Sequence, residues 1–496
     1  MKKIKILITM LFVISCFVLT SCNNGGNGNN ENNEDGVAEK VIIYTVNDFH
    51  GAIEEDGSKY GAARLAGFIK SNQEANKDAA TIVVSGGDMF QGSAISNYTQ
   101  GEVVVDIMNE IGFDAMTIGN HEFDWSLSTV LEYHDNDLNN GEATFPFLGA
   151  NIVDKTTSSI PELVEPYTIV EEKGLKIGII GYIGLGLEED IATAMIANYE
   201  FTSPLDSVKK YSKELRSEHG CDVVIAVGHD GDNLMNKQIA SLPSESRVDA
   251  IVNGHTHATY TDSYKRADGI SIPAIQTGTA GQNCGVITLE VNKDTKTVKN
   301  GTCFNMMLTN KVEKDSAVDG IVNNIVKETE HVFKRVLCTA GAYIDRYKGS
   351  KWAVNTLPGK FNVDCAFINS GGIRSAAFPI NPGDKVDVSK VYEIMPFDNT
   401  IKTVYLKGSY IKALINNNNL VFSDNITGDS VNGYYINGKL INDDTLYSVA
   451  AVDYIFDSPS YPFYLGENSF ATGILFRDVL IEYLEKINSN GQNWLG

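Results

Sequence analysis

Positive charge is scarce in this 496-residue chain: 40 Lys and Arg stand against 63 Asp and Glu, for a formal charge of −23. So acidic a surface repels nucleic-acid backbones and anionic headgroups, which excludes a nucleic-acid polymer as the expected partner. A phosphorylated ligand would have to find its cations locally. Paired cysteines are also lacking. Of seven cysteines none forms a Cys-x-x-Cys pair, and beyond the first 22 residues only Cys221, Cys284, Cys303, Cys338 and Cys365 remain. An odd number leaves at least one thiol free and gives no disulfide framework. Cys221 and Cys365 flank apolar runs and read as small buried hydrophobes. There is no internal repeat. Gly86-Gly87-Asp88 is not followed by Lys-Ser or Lys-Thr, so it is not a P-loop. Histidine is rare, with eight residues in all, and none falls in 338–496.

The chain opens with Lys2, Lys3 and Lys5, then an almost wholly apolar stretch over 6–20, then Leu19-Thr20-Ser21-Cys22. That stretch is short of the roughly 20 apolar residues a membrane span needs. A basic start, a short apolar core and small residues before the cut predict a secretory signal over 1–21. The Leu-Thr-Ser-Cys ending resembles the bacterial lipobox. The resemblance implies cleavage before Cys22 and a lipid on its thiol, hence an exported protein held to the cell envelope or surface by that anchor alone. Residues 22–36 would be the lipidated cysteine and an Asn/Gly-rich tether, which cannot bury apolar surface. From Val37 the composition is ordinary, and the remaining length suits two or three domains.

Five of the eight histidines sit in four motifs, each ending an apolar, strand-like run. They are Asn-Asp-Phe-His (47–50), Gly-Asn-His-Glu-Phe-Asp (119–124), Val-Gly-His-Asp (227–230) and Asn-Gly-His-Thr-His (253–257). Gly-Gly-Asp-Met-Phe-Gln-Gly (86–92) adds a carboxylate. Strands are expected at 41–46, 81–85, 115–118, 176–181, 222–227 and 250–252, with helices at 62–72, 102–111 and 205–218. This alternation predicts a layered α/β domain over 37–310 whose ligand site lies on loops at the carboxyl ends of the strands. A helix with apolar residues at three- and four-residue spacing is expected to link domains over 311–337. Residues 338–496 carry short strand-like runs and Asn-Gly turns at 432–433 and 437–438, and read as a smaller second domain with hairpins.

Asp48, His50, Asp88, Asn120, His229, His255 and His257 form an oxygen and nitrogen donor set large enough for two divalent ions sharing one carboxylate. Asp48 and His50 face one side of an extended strand end, as do His255 and His257. The donor chemistry suits Zn, Mn, Fe or Co alike. His134, His219 and His331 match no motif and are expected at the surface. Glu122 lies inside a motif without an assigned role.

In their order, these motifs resemble the calcineurin-like metallophosphoesterases, and the fuller forms at 47–51, 86–88 and 119–124 resemble the 5′-nucleotidase branch. The resemblance implies a four-layer α/β/β/α sandwich followed by a smaller α+β C-terminal substrate-binding domain. It assigns Asp48, His50, Asp88 and His257 to one ion and Asp88, Asn120, His229 and His255 to the other. His121 would stabilise phosphoryl charge and Asp124 would orient it. Asn369-Ser370-Gly371-Gly372-Ile373-Arg374 resembles the second domain's substrate motif, placing Asn369, Gly372 and Arg374 at the ligand. Met395-Pro396-Phe397 resembles the next motif, with Phe397 as an aromatic plate for a base. Tyr454 aligns with the usual second plate, but the following glycine-rich loop is replaced by a Pro- and Tyr-containing segment through residue 462. Arg346 is a candidate for a second phosphate-facing arginine. The implied activity is hydrolysis of nucleoside 5′-monophosphates. A 2′,3′-cyclic nucleotide, a UDP-sugar or non-catalytic nucleoside binding are the alternatives. The 311–337 helix would be the hinge between domains.

Overall fold

The computed structural model describes residues 38–57, 59–137 and 141–495. The expected signal, Cys22 and the expected tether lie outside them. Two sheets stack face to face. The first orders its strands Val298–Met307, Asn283–Asn292, Ala38–Val46, Ala80–Ser85, Ala115–Thr117, Phe147–Leu148 and Val164–Glu165. The second orders Thr259–Lys265, Ser271–Thr277, Ala250–Val252, Val223–His229, Leu175–Ile183 and Tyr167–Glu172.

Strand alternation explains the layering, because successive side chains leave opposite faces. Val41, Ile43, Ile82 and Val84 meet Ile177, Ile179, Ile225 and Val227 in a dry inter-sheet core. Ile42, Tyr44, Val46 and Val83 point the other way, onto Leu65, Phe68, Ile69, Val104 and Met108 of the helices Gly61–Ala75 and Glu102–Ile111. Ile180, Tyr182, Val224 and Ala226 of the second sheet pack on Val208, Tyr211, Leu215 and Ile239 of Pro204–Ser217 and Asn233–Ala240. Strands covered on both faces are apolar throughout, and this is why 41–46 and 223–227 read as continuous runs. The fold is the four-layer α/β/β/α sandwich.

The expected linking helix forms as Ser316–Phe333, capped by the Asp315 carboxylate, which accepts from Val318 N–H. It packs along Gly61–Ala75 and Glu102–Ile111 and so belongs to an outer helical layer of the sandwich. The residues just after it leave the helix: Val336–Thr339 is a strand paired with Lys385–Asp387. Beyond lies a five-stranded sheet ordered Leu420–Phe422, Cys365–Asn369, Leu446–Val452, Thr400–Lys407 and Glu467–Leu475, flanked by the helices Arg346–Phe361 and Phe476–Ser489. The Asn-Gly turn at 437–438 joins Gly433–Ile436 to Lys439–Leu440 with φ of 51° and 75°, the hand that a two-residue hairpin favours. All five described cysteines are free thiols. Among the described residues no helix is long and apolar enough to cross a membrane.

Candidate active site

All five motif loops leave the carboxyl ends of parallel strands. Ala38–Val46 runs parallel to Ala80–Ser85, and Val223–His229 runs parallel to Leu175–Ile183 and Ala250–Val252. The loops then turn sharply. Asp48, His50, Asp88, His255 and His257 all have left-handed backbone, with φ between 50° and 76°. Each such residue costs on the order of 1 kcal/mol or more, so five together rival the net stability of a whole domain, about 5–15 kcal/mol. Contacts between loops hold them. Asp48 N–H donates to Gly87 O at 2.9 Å and His50 N–H to Asp88 O at 3.1 Å. His255 N–H donates to the Asp48 carboxylate at 3.0 Å. The loops also touch at glycine: a Cβ on Gly119 would stand 2.3 Å from Asp88 Oδ1.

The donors converge in overlapping groups whose ligand atoms lie within 4.8 Å of one another. One group is Asp48, His50 and His257; His50 Nε2 is 3.0 Å from His257 Nε2, which is 3.4 Å from Asp48 Oδ1. Another is Asp88, His229 and His255. His229 Nε2 lies 3.2 Å from Asp88 Oδ2 and 3.1 Å from Asn120 Oδ1, and His255 Nδ1 is 3.0 Å from the same amide oxygen. A third group joins His50, Asp88 and His121, so Asp88 stands between the clusters. All seven expected donors are therefore brought together. His50 Nδ1 faces Gln91 O at 2.9 Å and His229 Nδ1 faces Gly86 O at 2.8 Å. A carbonyl on Nδ1 fixes that nitrogen as the donor and turns the Nε2 lone pair inward, as a metal-binding imidazole requires.

Burial and neighbouring charges shift these groups in opposite directions. Burial acts to raise Asp88, yet the His229 and His121 imidazoles hold it well below the carboxylate range. Burial pushes Asp48 up to about 7, against the pull of His229. Burial lowers His50, His255 and His257, the last to about 4, leaving their lone pairs free. His229 is carried up to about 10, because Asp88 outweighs its burial. A buried site crowded with lone pairs and carboxylates is chemically suited to metal ions.

His121 stands beside the donors. Its Nδ1 is 2.8 Å from Asp124 Oδ2 and its Nε2 is 4.0 Å from Asp88 Oδ2. Burial would lower this imidazole, but Asp124 and Asp88 raise it to about 9. Its ring stacks on Phe397, with centroids 5.9 Å apart and planes at 26°. The Arg374 guanidinium lies 5.3 Å from the Phe397 centroid. These groups line a cavity of about 410 Å³ together with Asn369 and Tyr454.

Several expectations change here. Gly371, not Gly372, lines the cavity; Gly372 is buried behind Asn369, whose Oδ1 would lie 2.9 Å from a Cβ there. Arg346 does not face the cavity. Its Nε donates to Ile373 O at 2.8 Å and its Nη2 to Ser370 O at 2.5 Å, bracing the turn that carries Arg374. His219 and His331 are exposed, whereas His134 is half-buried edge-on to Phe147, 6.1 Å between centroids.

Other residues at the site carried no motif. Asp190, Thr193 and Met195 of the sandwich line the cavity together with Tyr454, whose hydroxyl donates to Glu189 O at 3.0 Å. Asn97 donates to Pro396 O at 2.7 Å while its Oδ1 accepts from Gly92 N–H, which ties the 86–92 loop to Phe397. Single residues on short helical turns have no periodic signature, so only contacts distant in sequence disclose them.

Residues 42–259 match the calcineurin-like phosphoesterase family, and residues 297–460 match the 5′-nucleotidase C-terminal domain. A Bacillus subtilis protein named endonuclease YhcR is 27% identical over 414 residues, 75% of this chain but 32% of that protein; this chain spans about a third of its length. A 5′-nucleotidase of Vibrio cholerae is 25% identical over 456 residues, covering 82% of this chain and 80% of the relative. Among solved structures, a 5′-nucleotidase precursor from Thermus thermophilus superposes with a TM-score of 0.71 at 20% identity, over 90% of this chain and 96% of that one. That likeness establishes the fold.

Proposed function

Since this chain belongs to the calcineurin-like phosphoesterases and carries a 5′-nucleotidase C-terminal domain, we propose that it releases phosphate from nucleoside 5′-monophosphates outside the cytoplasm. It is a metal-dependent phosphohydrolase. The observation that carries the finer reading is the shared position of Asp88 between two donor clusters, beside the His121–Asp124 pair and under an aromatic cleft. In this reading Asp48, His50, Asp88 and His257 hold one divalent ion, and Asp88, Asn120, His229 and His255 hold the other. Bound ions would supply Lewis acidity at the phosphoryl group and activation of water.

The protein's own groups do the rest. His121, kept protonated and oriented by Asp124, donates from Nε2 to a phosphoryl oxygen as charge builds there. Arg374 gives a second, planar donor for the phosphate and adds to the local positive charge of His121. Phe397 and Tyr454 flank the base, and Asn369 meets the ribose or base edge. A cavity of about 410 Å³ lies within the range of small-ligand sites and has room for a mononucleotide. Export and a lipid on Cys22 would place this chemistry at the cell envelope or surface.

The test is a rate comparison on AMP, 2′,3′-cyclic AMP and UDP-glucose with the metal content measured. AMP should give the highest kcat/KM, with two ions per chain. Preference for either of the other substrates overturns the substrate reading, and a single ion overturns the paired one.

A further inference from the structure

We propose that Glu122 is the positioning residue that fixes Asp88 between the two ion sites, by seating its carboxylate on backbone N–H groups from two ligand loops. The inference rests on the paired-ion reading above and adds a residue to it.

Glu122 is fully buried. Its Oε2 accepts from Asp88 N–H at 2.9 Å and from Gly119 N–H at 2.7 Å, and its Oε1 accepts from Met89 N–H at 3.0 Å. Among the described residues none of these three N–H groups has another acceptor. Gly87 and Asp88 have φ of 90° and 55°. Left-handed backbone of this kind turns successive N–H groups into one concavity, which binds an anion. Here the anion is the chain's own carboxylate, one residue beyond His121. The side chain of Asp88 is then held from outside the nest, with Oδ1 accepting from His121 N–H at 2.9 Å and Oδ2 lying 3.2 Å from His229 Nε2. Glu122 therefore closes a loop of contacts: it fixes the backbone of Asp88, while its chain neighbour His121 fixes the side chain.

The three bonds call for a carboxylate. Two oxygens that only accept can receive three N–H donors without conflict. A glutamine of the same shape offers one oxygen and an NH2. Whichever way that amide turns, at least one backbone N–H meets a donor. An aspartate keeps both oxygens but is one methylene short, so it reaches part of the nest. A residue one layer removed from the metal commonly changes affinity by roughly 10–100-fold.

The experiment titrates Mn2+ into the metal-stripped full chain, wild type, E122Q and E122D, with electron paramagnetic resonance reading free ion, and follows kcat and KM on AMP. Mn2+ affinity should fall by roughly 10–100-fold in E122Q and recover partly in E122D. The value of kcat should fall while KM is unchanged, because the residue touches no part of the substrate. A folded E122Q that binds Mn2+ as the wild type does overturns the proposal. So does a lower melting temperature with unchanged Mn2+ affinity, the mark of a structural staple only. Hydrogen–deuterium exchange on the metal-stripped wild type needs no variant: the amides of Asp88, Met89 and Gly119 should exchange slowly, and fast exchange at these sites overturns the clamp. A wild type that takes up no Mn2+ defeats the paired-ion reading instead, and the three amides still decide the clamp.

Discussion

On one wall of the cleft stand Asp88, Asn120, His255 and His257; with Asp48, His50 and His229 beside them they make seven donors from five loops at strand ends, five of them on left-handed backbone. On the other wall, Asn369, Arg374, Phe397 and Tyr454 come from a strand end, a short turn, a loop and a four-residue helix. The first wall is positioned by backbone, through N–H groups that donate to carbonyls and carboxylates of neighbouring loops. The second is positioned by side chains. Arg346 braces the turn of Arg374, Arg477 donates to Pro396 O and Phe397 O, and the Asp453 carboxylate takes up Asn399 and Thr400. Backbone positioning ties short side chains to the sheet and tolerates little change. Side-chain bracing would let a loop such as 454–462 change while the sheet beneath stays put.

The sharpest way to break this contrast is at Asp88. Asp88→Asn should lower kcat/KM by on the order of 10³-fold and release at least one ion, checked by steady-state rates and metal analysis; near-normal turnover would mean the two clusters do not share that carboxylate. Next comes the pair beside them. His121→Ala should reduce kcat by about 10²–10³-fold with its ions retained, and Asp124→Asn should follow in the same direction; loss of ions instead would move His121 into the ligand set. Phe397→Ala probes the opposite wall. Stacking worth about 1–3 kcal/mol per base predicts a KM for AMP raised roughly 5–100-fold with kcat nearly kept, and a fall confined to kcat would contradict that division of labour.

The smallest expected effect lies in the scaffold beneath the first wall. Asp114 accepts from Val83 N–H at 2.8 Å, and burial pushes it up to about 6. Its pKa in the folded protein exceeds the unfolded value of 3.8, so this group favours folding below pH 3.8 and loses that contribution as pH rises towards 6. Asp114→Asn should therefore stabilise the protein by about 1–2 kcal/mol at pH 7 and not at all near pH 4, read from chemical denaturation at both values, with turnover unchanged. A gain that is independent of pH would assign the effect to packing.

The strands and helices of the sandwich were legible because period-2 and period-3.6 patterns are local. The expected helix at 102–111 and strand at 250–252 form with those bounds, while Ala38–Val46 and Leu175–Ile183 run a few residues longer. The donors were legible because imidazole and carboxylate are rare at strand ends without a use. Glu122 was visible but had no role, since a carboxylate bonded to backbone leaves no partner side chain to find. Asn97, Thr193 and Met195 could not be found at all: they sit on short helices without a motif, and the Pro396 carbonyl or cavity wall they meet is distant in sequence. Gly371 and Gly372 were indistinguishable until the turn decided which one faces the cavity.

The sequence by itself determined the inventory: an acidic chain with few cysteines, a set of seven oxygen and nitrogen donors, and their place after apolar strands, because composition and periodicity are properties of the chain. Only the tertiary structure decided the distances at which those donors meet, and that Asp190, Thr193 and Met195 join Tyr454 in lining the cleft. Those outcomes depend on contacts between segments up to about 300 residues apart, set by the stacking of two sheets and the docking of a third, and no local pattern encodes them.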